Sequence, residues 1–274
     1  MTQIYKAKTK DGDHLYLSRI YASLFQLLPT DGELVIEIEG NQEIINLVHF
    51  IKGQNFELAG FLPGTSGTND LRINRANDYD FSVNGLPLSR AFALKVVIYV
   101  PKGLQVHFQE GCLGPITGNG LVDNSLYFEL TQSGDFSADR LFNCGLHRSS
   151  MSLVQIGLAV NFTLGNFSPY GRVEIGYAKG NLNLVSTSEG EIDIDEMVGD
   201  ILTVTSRGSA YIHIFAGNVQ RLSLEGSGFT KARFDFGGTS AKARIYRFPG
   251  EVRLGKTQVL DTDHSPSRIF QVYS

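Results

Sequence analysis

Pairs of apolar residues, each separated by one residue, return with a period of about 20 residues in the second half of the chain, as in a solenoid whose repeats stack on one another. The clearest pairs are Leu182 and Leu184, Leu202 and Val204, and Leu222 and Leu224. Alternation of this kind is typical of a β-strand with one buried face. The fixed period therefore indicates stacked strands rather than isolated ones.

A second set of apolar pairs lies between the first, so each period contains two strands. Its members are Ile192 and Ile194, Ile212 and Ile214, Ala232 and Phe234, and Val252 and Leu254. Glycines such as Gly180 and Gly217 mark the corners, where a Cβ would penalise the backbone. The pattern predicts an all-β protein with a flattened β-solenoid of about 20 residues per coil over residues 126–255. An antiparallel sandwich is the alternative, but it has no reason to keep inward pairs in phase at that period.

The same spacing extends the inward columns towards the N-terminus. One predicted column is Phe142, Phe162, Leu182, Leu202 and Leu222. Its neighbour is Cys144, Leu164, Leu184, Val204 and Leu224. The second strand of each coil has a shorter spacing early in the repeat. There, Val173 and Ile175 precede Ile192 and Ile194 by one residue less than the full period.

The remaining segments lack this register. Residues 11–28 place Leu17, Tyr21, Leu24, Phe25 and Leu28 on one helical stripe that ends at Pro29, which predicts a short N-terminal helix. We expect residues 1–32 to form a helical cap, although a partner-binding or membrane-surface helix is an alternative. Residues 33–125 are predicted to be an irregular β-region, and 256–274 a C-terminal tail that packs back as a cap.

Composition narrows the function classes. The 274 residues carry a net charge of −4 and no basic block, which disfavours nucleic-acid binding. Cys112 and Cys144 have neither disulfide-framework nor metal-site spacing, so two free thiols are expected, with pairing across neighbouring strands as the alternative. Lysines and aspartates replace the apolar part of a signal peptide, and no apolar run is long enough to span a bilayer. The compartment and the oligomeric state stay open, and a homo-oligomer is compatible with the sequence.

Outward positions of the solenoid stack into mixed columns. They read Glu191, Tyr211, Lys231; then Asp193, His213, Arg233; then Asp195, Phe215, Asp235. Aromatic rings beside charged groups suit sugar stacking and hydrogen bonding. We therefore interpret seven residues as candidate ligand-binding residues: Glu191, Asp193, Tyr211, His213, Phe215, Lys231 and Arg233. The alternative is a solvated face held by cross-strand charge pairs, each worth about 0.2–1 kcal/mol.

Signs of catalysis are weak. The acidic run from Glu189 to Glu196 could supply paired carboxylates or a calcium site, but it lacks the EF-hand spacing. Nucleophile-elbow, zinc-protease and phosphate-loop motifs are absent from the sequence. We predict no catalytic residues, no metal and no cofactor.

Several turns have a common form. Thr131–Phe136, Thr187–Ile192 and Leu224–Phe229 resemble the Ser-Gly-Ser-Gly-Asp repeats of the putative auto-transporter adhesin, head GIN domain family. The strand Val96–Pro101, with Leu104 and Val106, is similar to the segment that precedes that family's repeats. The resemblance covers Glu33–Leu254 and implies a bacterial, right-handed β-helix-like protein, usually exported, without established catalytic residues. The chain departs from the family in its missing export signal and its degraded repeats, as at Ser206–Ser209.

Three functions follow as hypotheses. The leading one is a non-catalytic, adhesin-like surface module that binds a glycan or a protein. The second is a structural component of a larger assembly, such as a fibre or a phage-like tail part. The third is a carbohydrate-active β-helix enzyme. Location in the cell envelope or outside the cell is implied by the resemblance alone.

Overall fold

The computed structural model describes most of the chain. The described ranges are 1–60, 81–83, 86–88, 93–109, 111–129, 135–147, 153–165, 171–186, 190–206, 209–226, 231–234, 242–246, 252–254, 258–263 and 269–271. In these ranges the chain is almost entirely β-strand, with one short helix, α1 (Gln42–Ile45). The Asn41 side chain caps that helix by accepting a hydrogen bond from the Glu43 amide.

All described strands except two form one continuous stack, which is parallel apart from antiparallel strands at its N-terminal end. The two others, Phe81–Val83 and Leu86–Leu88, form a separate antiparallel pair. The strands of the first half are β1 (Thr2–Ala7), β2 (His14–Ser18), β3 (Ala22–Thr30), β4 (Leu34–Glu39), β5 (His49–Lys52), β6 (Phe56–Ala59), β7 (Phe81–Val83), β8 (Leu86–Leu88), β9 (Leu94–Pro101), β10 (Gln105–Phe108), β11 (Ile116–Gly118) and β12 (Leu121–Glu129). Those of the second half are β13 (Phe136–His147), β14 (Leu153–Gly165), β15 (Arg172–Ser186), β16 (Glu191–Ser206), β17 (Tyr211–Gly226), β18 (Lys231–Phe234), β19 (Lys242–Tyr246), β20 (Val252–Leu254), β21 (Gln258–Asp263) and β22 (Ile269–Gln271).

The solenoid prediction is confirmed. Strands β13 to β17 each turn one corner, so their first parts stack on one face and their last parts on a second face. We call these the first face and the second face. Between β16 and β17 the predicted register holds throughout, as Ile192 beside Ile212 and Leu202 beside Leu222 show. The inward side chains are fully buried and form one continuous core.

One core column differs from the prediction. Cys144 on β13 lies beside Phe162 on β14 instead of the predicted Leu164, while Phe142 is 43% exposed. The assignment of Phe142 to the core was therefore wrong. The cause is that β13 has a shorter corner than β12. The corner of β12 runs from Leu121 to Ser125, and the corner of β13 that pairs with it runs only from Leu141 to Asn143. The observed column is Leu126, Cys144, Phe162, Leu182, Leu202 and Leu222.

The predicted helix over residues 11–28 is also wrong, because this segment forms β2 and β3. The residues that become buried alternate with a period of two: Leu15 and Leu17 on β2, and Phe25 and Leu27 on β3. The corner between the two strands passes through Arg19, whose φ is 55°. The helical stripe and the strand alternation overlap in this short segment, and stacking against neighbouring strands decides between them.

These two strands are inserted into the stack. β2 lies between β6 and β10, and β3 lies between β9 and β11, all in parallel. Residues that are far apart in the sequence, such as His14 and Gln105, are therefore neighbours in the stack. Because consecutive strands of the chain do not stack on one another here, the first half lacks the regular period. Part of the region predicted to be irregular therefore belongs to the same parallel stack.

The two ends are built differently. At the N-terminal end β4 pairs antiparallel with both β9 and β1, and β5 pairs antiparallel with β6, which ends the parallel stacking. At the other end β21 and β22 pair in parallel with β19 and β20, so the predicted tail adds strands to the stack.

Both cysteines are buried and free. In the described ranges no helix is long and apolar enough to cross a membrane.

Candidate functional site

A groove of about 420 Å³ opens on the first face. It is lined by residues of the successive strands β13 to β17 and by Asn119, which follows β11. Gly157 and Gly176 lie in the middle of this lining. A Cβ on Gly157 would lie 2.6 Å from the Asp139 carbonyl oxygen, and one on Gly176 would lie 2.9 Å from the Gly157 carbonyl oxygen. The close approach of the neighbouring backbone leaves no room for a Cβ at either position, so the groove is lined there by backbone and not by side chains.

A charged network forms one part of the lining. The Arg172 Nη2 donates to Asp193 Oδ2 at 2.9 Å, and its Nε lies 3.0 Å from Glu174 Oε1 and 3.6 Å from Glu191 Oε2. Gln155 Nε2 donates to the other oxygen of Glu174 at 2.8 Å. The hydrogen bond to Asp193 and the three carboxylate charges raise the pKa of Arg172, against an opposing effect of desolvation. Pairs as exposed as those of Arg172 with Glu174 and Glu191 add little stability.

An aromatic row forms the neighbouring part of this face. Tyr211, His213 and Phe215 alternate along the outward side of β17. The His213 and Phe215 ring centroids are 3.6 Å apart, and those of Tyr211 and His213 are 6.2 Å apart in an edge-on arrangement. His213 is buried among its neighbours, while Phe215 is 47% exposed and lines the groove. The groove therefore has one accessible aromatic ring beside its polar groups.

The seven candidate residues fall in the predicted register. Glu191 lies beside Tyr211 and Tyr211 beside Lys231; Asp193 lies beside His213 and His213 beside Arg233. Asp193 and Phe215 line the groove, and Glu191 joins it through Arg172. Tyr211 and His213 continue the aromatic row, and Arg233 is exposed. For Lys231 the structure describes the strand position only, and Asp235 lies outside the described residues. Their role in binding a ligand stays a prediction.

Several residues of the site were missed from the sequence. Arg172 pairs with Glu191, and Glu174 pairs with Asp193, across β15 and β16. The signal was present, since the one-position slip that sets Val173 beside Ile192 applies equally to Arg172. If the outward columns are extended towards the N-terminus with the same slip, they place Arg172 beside Glu191 and Glu174 beside Asp193.

The acidic run does not form a metal site in the part of the chain that the structure describes. There, no group of three histidine, cysteine, aspartate or glutamate side chains could hold a metal ion. Arg172 instead lies among Glu174, Glu191 and Asp193. The arrangement can donate and accept hydrogen bonds from fixed positions, as a binding surface does.

A second polar cluster lies on the second face near the N-terminal end. His14 Nδ1 and His107 Nε2 are 2.8 Å apart. The His107 ring stacks between Tyr16 and Tyr127, at centroid distances of 4.7 and 4.8 Å. Burial, with a smaller effect of the nearby His14, lowers the pKa of His107 to about 4. Burial therefore favours the neutral imidazole, and the stacking on two tyrosine rings holds it in place, which points to a structural role.

Comparison with known proteins gives similarity in solved structures only. No family model and no curated protein matches the chain. A putative adhesin from Parabacteroides distasonis ATCC 8503 is 12% identical over 100% of this chain and 95% of its own, with a TM-score of 0.46. A putative adhesin from Parabacteroides merdae ATCC 43184 is 12% identical over 99% and 96%, with a TM-score of 0.47. A putative lipid binding protein from Parabacteroides distasonis ATCC 8503 is 12% identical over 99% and 96%, with a TM-score of 0.40.

The resemblance to the head GIN domain family thus stays a prediction. The turn residues on which it partly rests, at 131–134, 187–189 and 227–230, lie outside the described residues.

Proposed function

We propose that this protein is a non-catalytic, adhesin-like binding module that holds a glycan or protein ligand in the groove of its first face. The observation that carries the proposal is the position of Phe215. Its ring is 47% exposed and lines the same groove as the ion-paired side chains of Arg172 and Asp193. An accessible aromatic ring next to oriented polar groups is the usual composition of a ligand site.

The groove is held in shape by contacts within the protein. Its polar side chains hold one another, as the Gln155 to Glu174 hydrogen bond and the Arg172 ion pairs show. Its backbone is part of a stack in which β13 to β16 are paired on both sides. Little ordering is therefore needed on binding, which preserves affinity.

The proposal is tested by a glycan and protein-ligand array with two matched variants. Phe215→Ala removes the ring at the groove, and Phe142→Ala removes an equally exposed ring, 43%, that does not line it. We expect binding of the wild type and of Phe142→Ala, and a loss of about tenfold or more for Phe215→Ala, the usual effect of removing a hot-spot aromatic. Absence of binding across the array, or equal binding by both variants, would overturn the proposal.

A second candidate function, a structural component of an assembly, is favoured by the outer edge of β1. β1 pairs with β4, and in the described part of the chain no strand pairs with its other edge. Ile4 on this strand is 48% exposed, although Lys52 Nζ donates to the Lys6 carbonyl oxygen and partly covers the strand. Light scattering would test it: oligomers that Ile4→Lys dissociates support edge-to-edge assembly, and a concentration-independent monomer contradicts it.

A further inference from the structure

We infer that the groove takes an uncharged, polyhydroxylated chain, such as a neutral oligosaccharide, lying along the solenoid axis. The inference rests on the proposed function and narrows its ligand to one chemical class. It is carried by the order of polar side chains across the strands, by the charge of the lining, and by the pairing of the strands beneath it.

The polar side chains form one continuous outward column. Thr117 lies beside Ser137, Ser137 beside Gln155, Gln155 beside Glu174, and Glu174 beside Asp193. Successive members are separated by the spacing between strands, roughly 4.8 Å. Thr117, Ser137 and Gln155 can donate and accept, whereas Glu174 and Asp193 accept, so a chain with hydroxyl groups at regular intervals can bond to several of these side chains at once.

The charge of the lining disfavours an acidic chain. Among the described lining residues are the carboxylates of Glu174, Asp193 and Asp195 and the single guanidinium of Arg172. Arg172 already contacts Glu174 and Asp193, so it has little capacity left for an anionic ligand. A carboxylate or sulfate on the ligand would face like charges, which costs affinity and specificity.

A quaternary ammonium ligand is disfavoured by the aromatic content of the groove. Phe215 is the one aromatic ring among the described lining residues, whereas recognition of quaternary ammonium groups uses cages of several rings. Its exposed face suits the apolar face of a sugar ring. Of the lining carboxylates, Glu174 and Asp193 are already paired with Arg172.

The strand pairing disfavours an extended peptide. A peptide usually adds to a sheet through an open strand edge, where its backbone finds hydrogen-bond partners. Under the groove, β14 pairs with β13 and β15, and β16 pairs with β15 and β17, so these strands have no open edge. A ligand here bonds to side chains, which favours hydroxyl groups over peptide backbone.

The test measures binding to three immobilised oligosaccharides of equal length: a neutral hexose oligomer, a uronate oligomer and an amine-bearing glucosamine oligomer. The wild type, Phe142→Ala, Phe215→Ala and Asp195→Asn are compared, with folding checked by circular dichroism. We expect at least tenfold tighter binding of the neutral oligomer than of the uronate oligomer, dependence on Phe215, and a smaller ratio for Asp195→Asn.

The outcomes separate this inference from the proposed function. Phe215-dependent binding that favours the uronate or the amine oligomer overturns the inference and leaves the binding module standing. Phe215-dependent binding of protein ligands alone on the array has the same consequence. A neutral preference that Asp195→Asn leaves unchanged overturns the electrostatic basis of the inference. Binding that is the same for Phe215→Ala and Phe142→Ala overturns both.

Discussion

Cys144 on β13 lies directly beside Phe162 on β14. This pairing places the Phe162 ring in the core, where it is fully buried, and leaves Phe142 at the surface. We predict that Phe162→Ala lowers the free energy of unfolding by about 3–5 kcal/mol, because it removes a buried ring and leaves a cavity. Urea denaturation followed by circular dichroism measures the change.

Phe142→Ala is the matched control, since Phe142 and Phe162 share one column of the sequence-based prediction. A surface substitution of this kind is expected to change stability by less than about 0.5 kcal/mol. If Phe142→Ala destabilised the protein as much as Phe162→Ala, the observed register would be contradicted and the predicted one restored.

The sequence predicts the fold best where coils have equal length. Tyr211 follows Glu191 and Lys231 follows Tyr211 at the same interval, so each outward column could be deduced from its period. Stacking in phase buries every inward pair in the same way, which makes such a repeat visible in the sequence alone.

The N-terminal part could not be predicted in this way. There, one coil of the stack consists of β2 and β3, which pair with β10 and β11 from a distant part of the chain. Pairing between His14 and Gln105 leaves no period in the sequence. The stripe of Leu17, Phe25 and Leu28 then satisfies a helical pattern by coincidence, because local periodicity cannot show which strands are neighbours.

The groove depends on features that only the three-dimensional register reveals. Gly157 and Gly176 carry no signal of a site in the sequence, yet they lie among the lining residues of the first face. Arg172 stands at the start of β15, where the offset to the next strand is one position shorter than in the following coil. Because the predicted outward columns begin at Glu191, beyond this slip, they leave out Arg172.

The two cysteines are both buried but have different surroundings. Cys112 Sγ donates to the Leu17 carbonyl oxygen at 3.2 Å, whereas Cys144 lies between Leu126 and Phe162 in the core column. We expect Cys112→Ser to change stability by less than about 1 kcal/mol, because the hydroxyl keeps the hydrogen bond. Cys144→Ser places a hydroxyl in an apolar position and should cost about 1–3 kcal/mol. Urea denaturation of the two variants measures both changes, and equal losses would contradict the different surroundings of the two thiols.

Thiol reactivity provides a second measurement on the same residues. Burial raises the pKa of Cys112 to about 12 and also raises that of Cys144. Neither thiol should react with a disulfide reagent at pH 8 in the folded protein, and both should react in urea. Rapid labelling of either one under native conditions would contradict the described packing.

Gly217 shows why a corner of the stack requires glycine. Its φ is +136°, and a Cβ there would overlap the Met197 carbonyl oxygen of the preceding strand. We predict that Gly217→Ala costs about 3 kcal/mol or more, from backbone strain and the overlap together. Gly12 is the control, because its φ is +84° with nothing within 4 Å of an added Cβ.

Gly12→Ala should cost only the conformational strain, about 1–2 kcal/mol. Thermal or urea unfolding of the two variants separates conformation from contact. Equal losses would show that the close approach of Gly217 to Met197 contributes nothing.

His107 makes the stability of the protein depend on pH. Its imidazole faces His14, Tyr16 and Tyr127, and its Nδ1 lies 3.9 Å from Glu129 Oε1. Its pKa is lowered from 6.5 to about 4, chiefly by burial. Between these two values the unfolded chain binds a proton that the folded chain does not, so stability falls as the pH falls from about 6.5 to 4.

Below pH 4 both states carry the proton, and the contribution of His107 no longer changes. With allowance for partial solvent screening, the shift corresponds to a loss of roughly 2–3 kcal/mol across the window. Urea denaturation at pH 7, 5.5 and 4 should show this loss in the wild type and in His49→Gln, which changes an exposed histidine. His107→Phe keeps the ring between Tyr16 and Tyr127 but cannot titrate, so its stability should change by roughly 2–3 kcal/mol less across the same window. A wild-type slope retained in His107→Phe would mean that another group carries the pH dependence.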